Sequence, residues 1–139
     1  MDLKECLARG YIKIMTPDIV LVNKEIKEAH HDLNSAKNAS AIKDFKWSII
    51  KSYYAMFHAG KALLFHLGYL EKKHIAILIV LEDLNKQGKL ESKYVDGFNT
   101  ALHTREDADY HYLYNEAVAS HNIEIAQEFV NKMEELSQT

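Results

Sequence analysis

The chain is poor in the features that would classify it quickly. Its single cysteine, Cys6, cannot close an internal disulfide, which excludes a disulfide framework and suits a reducing compartment. Its single proline, Pro17, leaves the rest of the chain without a proline helix breaker. There is no Cys-x-x-Cys pair, no glycine-rich phosphate loop and no serine or cysteine nucleophile elbow. No apolar run approaches the roughly 20 residues that span a bilayer. Positive charge is not in excess either: the formal net charge is -3, so no global field attracts nucleic acid, and any contact with RNA or a nucleotide must be local. Met1-Asp2-Leu3-Lys4-Glu5 lacks the basic-then-apolar order of a signal peptide, so a cytoplasmic protein is expected.

What is present reads as an ordinary globular chain, 47% apolar and 27% charged. Its 139 residues suit one domain spanning 1–139, with a core over about 17–137 that needs no metal or disulfide. Thr16-Pro17-Asp18 predicts a helix start, with a capping hydroxyl before a proline in the first turn. Ile19, Val22, Ile26, Ala29, Leu33 and Ala36 then recur at helical spacing, and Asn38-Ala39-Ser40 predicts a turn near 38–42. A second helix from about Asp44 to Leu67 is apolar around much of its circumference, which puts it in the middle of a bundle, and Gly68 stops it. Ala55, Ala59 and Ala62 give it a stripe of small residues that admits a close neighbour.

The run Ile75-Ala76-Ile77-Leu78-Ile79-Val80-Leu81 has strand propensity, but its continuation through Leu84 to Lys86-Gln87-Gly88 predicts a helix. Further helices are expected from near Glu91-Ser92, carrying Tyr94, Val95, Phe98, Ala101 and Leu102 inward, and after Ser120, carrying Ile123, Ala126, Phe129, Val130, Met133 and Leu136. Short links imply antiparallel neighbours, so the expected fold is all-α, an up-and-down bundle of four to five helices.

One segment carries chemistry that a core does not need: Arg105-Glu106-Asp107-Ala108-Asp109-Tyr110-His111-Tyr112. It gathers a fixed cation, three carboxylates, an imidazole and two phenols. At about 100° per residue, Arg105 and Asp109 share a helix face, whereas Arg105 and His111 point about 120° apart. Those two would converge only if the helix broke near Asp109, or across a dimer interface. The plain alternative is an i,i+4 ion pair between Arg105 and Asp109 at a helix end, with His111 in the following loop. His103, Asp107 and His111 have the spacing of a helical metal site, but with eight histidines in the chain that pattern arises easily by chance, and no metal or other cofactor is expected. His58 reads as a satisfied core histidine. Lys51 and Lys61 read either as lysines extending from a buried helix or as the lining of a phosphate-facing cleft.

The string Ser52-Tyr53-Tyr54-Ala55-Met56-Phe57-His58-Ala59-Gly60-Lys61-Ala62-Leu63-Leu64, the glycine turn after it, Lys89-Leu90, Arg105 with Ala108-Asp109-Tyr110, and the acidic last helix together resemble a HEPN-domain protein of the small single-domain branch. The resemblance covers about Asp18 to Leu136. It implies a helical bundle that forms a homodimer and brings a polar motif from each protomer into one cleft. In catalytic members that motif is an arginine and a histidine separated by four to six residues, and the activity is metal-independent RNA cleavage. Such proteins are often toxins paired with a small nucleotidyltransferase that neutralises them.

Arg105 and His111, with five residues between them, match that spacing. On this reading His111 moves the proton of the 2′-hydroxyl, Arg105 stabilises the phosphorane and Asp109 orients one of them. Tyr54, Tyr110, Tyr112 and Lys61 are the candidate RNA- or nucleotide-binding residues. Where the acceptor tyrosine of nucleotide-neutralised toxins would fall, this chain has Leu113, flanked by Tyr112 and Tyr114, so that control does not carry over. Branch members that keep the arginine and the Asp-Tyr pair without the histidine imply the alternative, a non-catalytic nucleotide- or partner-binding module that pairs with a nucleotidyltransferase.

Overall fold

The computed structural model describes residues 1–138. Six helices and one small two-stranded sheet follow in the order α1 (Leu3–Ala8), β1 (Ile12–Ile14), α2 (Ile19–Ala41), α3 (Phe45–Leu67), β2 (Tyr69–Glu71), α4 (Ile75–Lys86), α5 (Ser92–Tyr110) and α6 (Glu116–Ser137). Helix accounts for 76% of the chain, and the architecture is a helical bundle. Among the described residues no helix is long and apolar enough to cross a membrane.

Helix α3 is the axis on which α2, α4, α5 and α6 pack. Ala55, Ala59 and Ala62 are fully buried, and Ala62 joins Phe65 with Val22 and Ile26 of α2 in one apolar cluster. Gly60 allows a close approach on another face. A Cβ there would stand 2.7 Å from Ile77 Cγ2, so α4 can seat its Ile77 against α3 only because position 60 has no side chain. Tyr53, Phe98 and Phe129, each at most 1% exposed, continue the core toward α5 and α6, with successive ring centroids 6.0 Å and 5.6 Å apart. Burying a side chain of that size contributes about 2–3 kcal/mol through apolar area removed from water.

The run from Ala76 to Leu81 is buried at every position. That explains its strand-like composition: a helix enclosed on all sides loses the amphipathic period and keeps only the apolar content.

The ends of the elements show which local signals win. Asp18, not the Thr16 hydroxyl, caps α2, its carboxylate accepting from the Val20 and Leu21 amides at 2.9 and 3.4 Å, and Pro17 lies before the cap. A charged acceptor makes the stronger cap. The expected turn at 38–42 falls slightly later, at Ile42, Lys43 and Asp44, because Ala36 and Ala39 are buried and hold the last turns of α2 in helical form. The Ser48 hydroxyl fastens this corner by donating to the Ala36 carbonyl at 2.9 Å. Likewise α6 starts at Glu116 rather than after Ser120, with the Asn115 side chain accepting from the Val118 amide at 2.9 Å.

Gly68 ends α3 at φ 85, as expected, and a Cβ there would also lie 2.9 Å from the Met15 carbonyl oxygen. The reversal delivers β2 antiparallel to β1, with Ile12 opposite Glu71 and Ile14 opposite Tyr69. Neither strand, nor α1, is signalled by the sequence pattern. Each strand is only three residues long, too short for alternation to declare itself.

Candidate functional site

Helix α5 presents Arg105 to the tyrosine pair of α3. The guanidinium carbon lies 5.6 Å from the Tyr53 ring centre, 5.7 Å from that of Tyr54 and 5.8 Å from that of Tyr110. Arg105 Nη2 donates to the Tyr54 hydroxyl at 3.4 Å and stands 3.6 Å from Asp109 Oδ2. Its Nε is buried and has no hydrogen-bond partner. The cation is thus held by three phenol faces and one carboxylate, with a donor in reserve. Cation–π contacts of this kind contribute about 0.5–2 kcal/mol each, more as water is removed.

Tyr53 completes the inner wall. Burial pushes its phenol up to about 12, although the Arg105 charge pulls the other way. Its hydroxyl is 3.2 Å from His74 Nδ1, so a bond to the imidazole satisfies the phenol in an otherwise dry position.

The end of α5 arranges the second half of the segment. The helix runs unbroken to Tyr110, and His111 is its C-cap. His111 Nδ1 lies 3.1 Å from Asp107 Oδ1 one turn back, both side chains exposed. Tyr112 follows in the left-handed region at φ 57, its ring under the Lys46 ammonium at 5.6 Å. Tyr110 at the helix end and Tyr112, Leu113 and Tyr114 after it are all exposed. A groove of about 360 Å³ runs beside them, lined by Thr104, Asp107, Tyr112, Leu113, Tyr114 and Val118.

Arg105 pairs with Asp109, as helical spacing implied, and Tyr54 and Tyr110 sit against the same guanidinium. His111 is directed elsewhere: it faces Asp107, and within one protomer the two motif residues keep separate partners. His103 Nδ1 is turned to the Asn99 carbonyl at 2.8 Å, so His103, Asp107 and His111 do not converge. Tyr112 lies in the exposed loop.

Lys61 belongs to a different network. Its ammonium lies 3.6 Å from Glu25 and 3.3 Å from Glu71. His58 joins the same Glu25 through Nδ1 at 2.6 Å and faces Asp32 through Nε2 at 3.6 Å. The bond to Glu25 lifts the His58 pKa above its usual value against the pull of burial. Burial pushes the Glu25 carboxyl up, but the His58 bond and the Lys61 charge outweigh it and hold Glu25 below the ordinary carboxylate value. Sequence reasoning passed over Glu25, Asp32 and Glu71. A signal did exist: Glu25 and Asp32 are seven apart on α2, His58 and Lys61 three apart on α3, so two oppositely charged stripes face each other. Among the described residues, the group able to hold a metal is Glu28, His31 and Asp32, beside this network.

Residues 22–138 match the family described as "HEPN domain". The fold is similar to that of TT1696 from Thermus thermophilus, known from a crystal structure, with a TM-score of 0.73 and 20% identity over 83% of this chain and 97% of that one. No curated protein matches the chain.

Proposed function

Because the chain belongs to the HEPN-domain family, we propose that it is a dimeric, metal-independent ribonuclease in which two protomers each supply Arg105 and His111 to one cleft. The observation that carries this reading is the division of the motif. Arg105 is packed against tyrosine faces, while His111 projects from the helix end beside exposed Tyr110, Tyr112 and Leu113. A second copy docking on those apolar side chains would bring the partner's histidine toward an arginine that its own histidine does not meet. In that cleft the guanidinium, always charged and planar, stabilises the phosphorane, and the imidazole transfers the 2′-hydroxyl proton. Asp109 holds Arg105 until phosphate replaces it.

Purified protein assayed on structured and single-stranded RNA with chelator present tests this. Cleavage by the wild type, lost in both Arg105→Ala and His111→Ala while each stays folded and dimeric, is the expected result. Equal activity in wild type and His111→Ala, or none in the wild type, overturns it.

A second reading draws support from the Arg105–Asp109 pair, which already supplies the guanidinium with a carboxylate. On that reading the site holds a nucleotide phosphate without cleaving RNA, in a complex with a nucleotidyltransferase. It expects nucleotide-dependent thermal stabilisation that Arg105→Ala abolishes, with no RNA cleavage by the wild type.

A further inference from the structure

The turn of α2 that carries Glu28, His31 and Asp32 has no part in the chemistry above. The i, i+3, i+4 spacing places the three on one face within a single turn. One ligand atom from each lies within 4.8 Å of the other two. His31 Nδ1 and Asp32 Oδ1 are 3.3 Å apart. Two ligands of a tetrahedral zinc ion with bonds of about 2.1 Å stand about 3.4 Å apart, so this edge is already at ligand spacing. An ion could enter there with little movement beyond side-chain rotation.

The independent observation lies on the next helix. His58 of α3 turns Nε2 toward Asp32 Oδ2 at 3.6 Å, and its Nδ1 is anchored on Glu25 at 2.6 Å. Glu25 is in turn tied to β2 through Lys61 and Glu71. One oxygen of Asp32 therefore faces an imidazole that is itself anchored on a carboxylate inside the protein, and the other is directed at His31. Partners anchored behind a carboxylate in this way orient the ligating groups of metal sites. A solvated stripe on a helix surface needs no such anchoring, since exposed ion pairs contribute little to stability.

We propose that Glu28, His31 and Asp32 bind one divalent first-row transition-metal ion, zinc by preference, with His58 and Glu25 as positioning residues. An imidazole with two carboxylates suits zinc, cobalt or nickel, whereas magnesium and calcium take oxygen ligands alone. Three protein ligands leave a coordination position to water. The site is built from α2, α3 and β2, apart from Arg105 and His111 on α5, and the RNA chemistry proposed above does not require it.

Tag-free protein stripped with chelator and then titrated with Zn²⁺ by calorimetry tests the proposal, with Co²⁺ absorption as the report on geometry. The expected result is one ion per chain and a visible Co²⁺ band of four- or five-coordinate intensity. His31→Ala, an exposed position, weakens binding by at least about tenfold, and Glu25→Gln or His58→Ala weakens it by about 10–100-fold with the stoichiometry kept. His111→Ala, which removes the exposed histidine–carboxylate pair at the end of α5, titrates as the wild type. Bound Zn²⁺ raises the melting temperature of the wild type and not of His31→Ala. The absence of saturable binding, His31→Ala titrating as the wild type, or loss of binding in His111→Ala instead would overturn the site. Folded His58→Ala and Glu25→Gln proteins that both bind as the wild type would overturn the positioning role.

Discussion

Asp109 Oδ2 lies 3.6 Å from Arg105 Nη2, one turn along the same helix, and it is the carboxylate that a bound phosphate would have to displace. Asp109→Asn keeps the shape and removes that competition. The expected outcome is tighter binding of a short RNA or nucleotide, by a few-fold, with a stability loss of no more than about 1 kcal/mol. Arg105→Lys keeps the charge but loses the planar contact with three rings, so it should be nearly as weak in binding as Arg105→Ala. Fluorescence anisotropy for binding and urea midpoints for stability check both.

Tyr53 predicts an alkaline transition. Its phenol titrates at about 12 in the folded protein and near 10 when exposed, so the unfolded chain loses the proton first as pH rises. The stability tied to the neutral phenol is complete below pH ~10 and lost progressively toward pH ~12, to a limit of about 3 kcal/mol. Urea unfolding at pH ~9 and ~11.5 should show a smaller decline in Tyr53→Phe than in the wild type. Parallel declines would show that another group controls the transition.

Gly60→Ala places a methyl 2.7 Å from Ile77 Cγ2, a branched carbon that cannot swing aside. A loss of about 1–3 kcal/mol is expected from overpacking. Ile77→Ala removes that carbon, so the double variant should be less destabilised than the sum of the two single changes. Additive losses in denaturant melts would place the Gly60 effect in helix propensity or elsewhere.

Lys61 tests whether its network serves stability or RNA. Lys61→Met leaves Glu25 and Glu71, both largely buried, without their shared cation. A loss of about 2 kcal/mol is expected, below the 3–5 kcal/mol of a fully buried pair. RNA affinity should stay unchanged, and a drop in affinity without a loss of stability would return Lys61 to the binding surface.

The legible part of this protein was whatever a single helix could express. The glycine stop at Gly68, the i,i+4 relation of Arg105 to Asp109 and the continuation of Ile75–Leu81 into a helix all follow from neighbours in the chain. What escaped depends on partners brought from afar. Tyr54 meets Arg105 across 51 residues and Glu25 meets His58 across 33, and spacing within one helix does not say which other helix its stripe will face. That Arg105 and His111 point apart was legible in the helical spacing, but the turn after them was not, because the left-handed Tyr112 is neither a glycine nor an asparagine that would announce it. Propensity also misplaced the turn at 38–42, where burial of Ala36 and Ala39 outweighed the polar residues between them.

The ribbon of β1 with β2 lies partly outside the family match, which begins at residue 22. Ile12 and Cys6 are nevertheless buried in the main core. A protein trimmed to the matched residues would leave the backbone of Tyr69–Glu71 without its partner strand and expose the apolar surface beneath. Unpaired strand edges recruit other chains. Self-association of such a fragment would then report a bare edge rather than a surface of the intact chain.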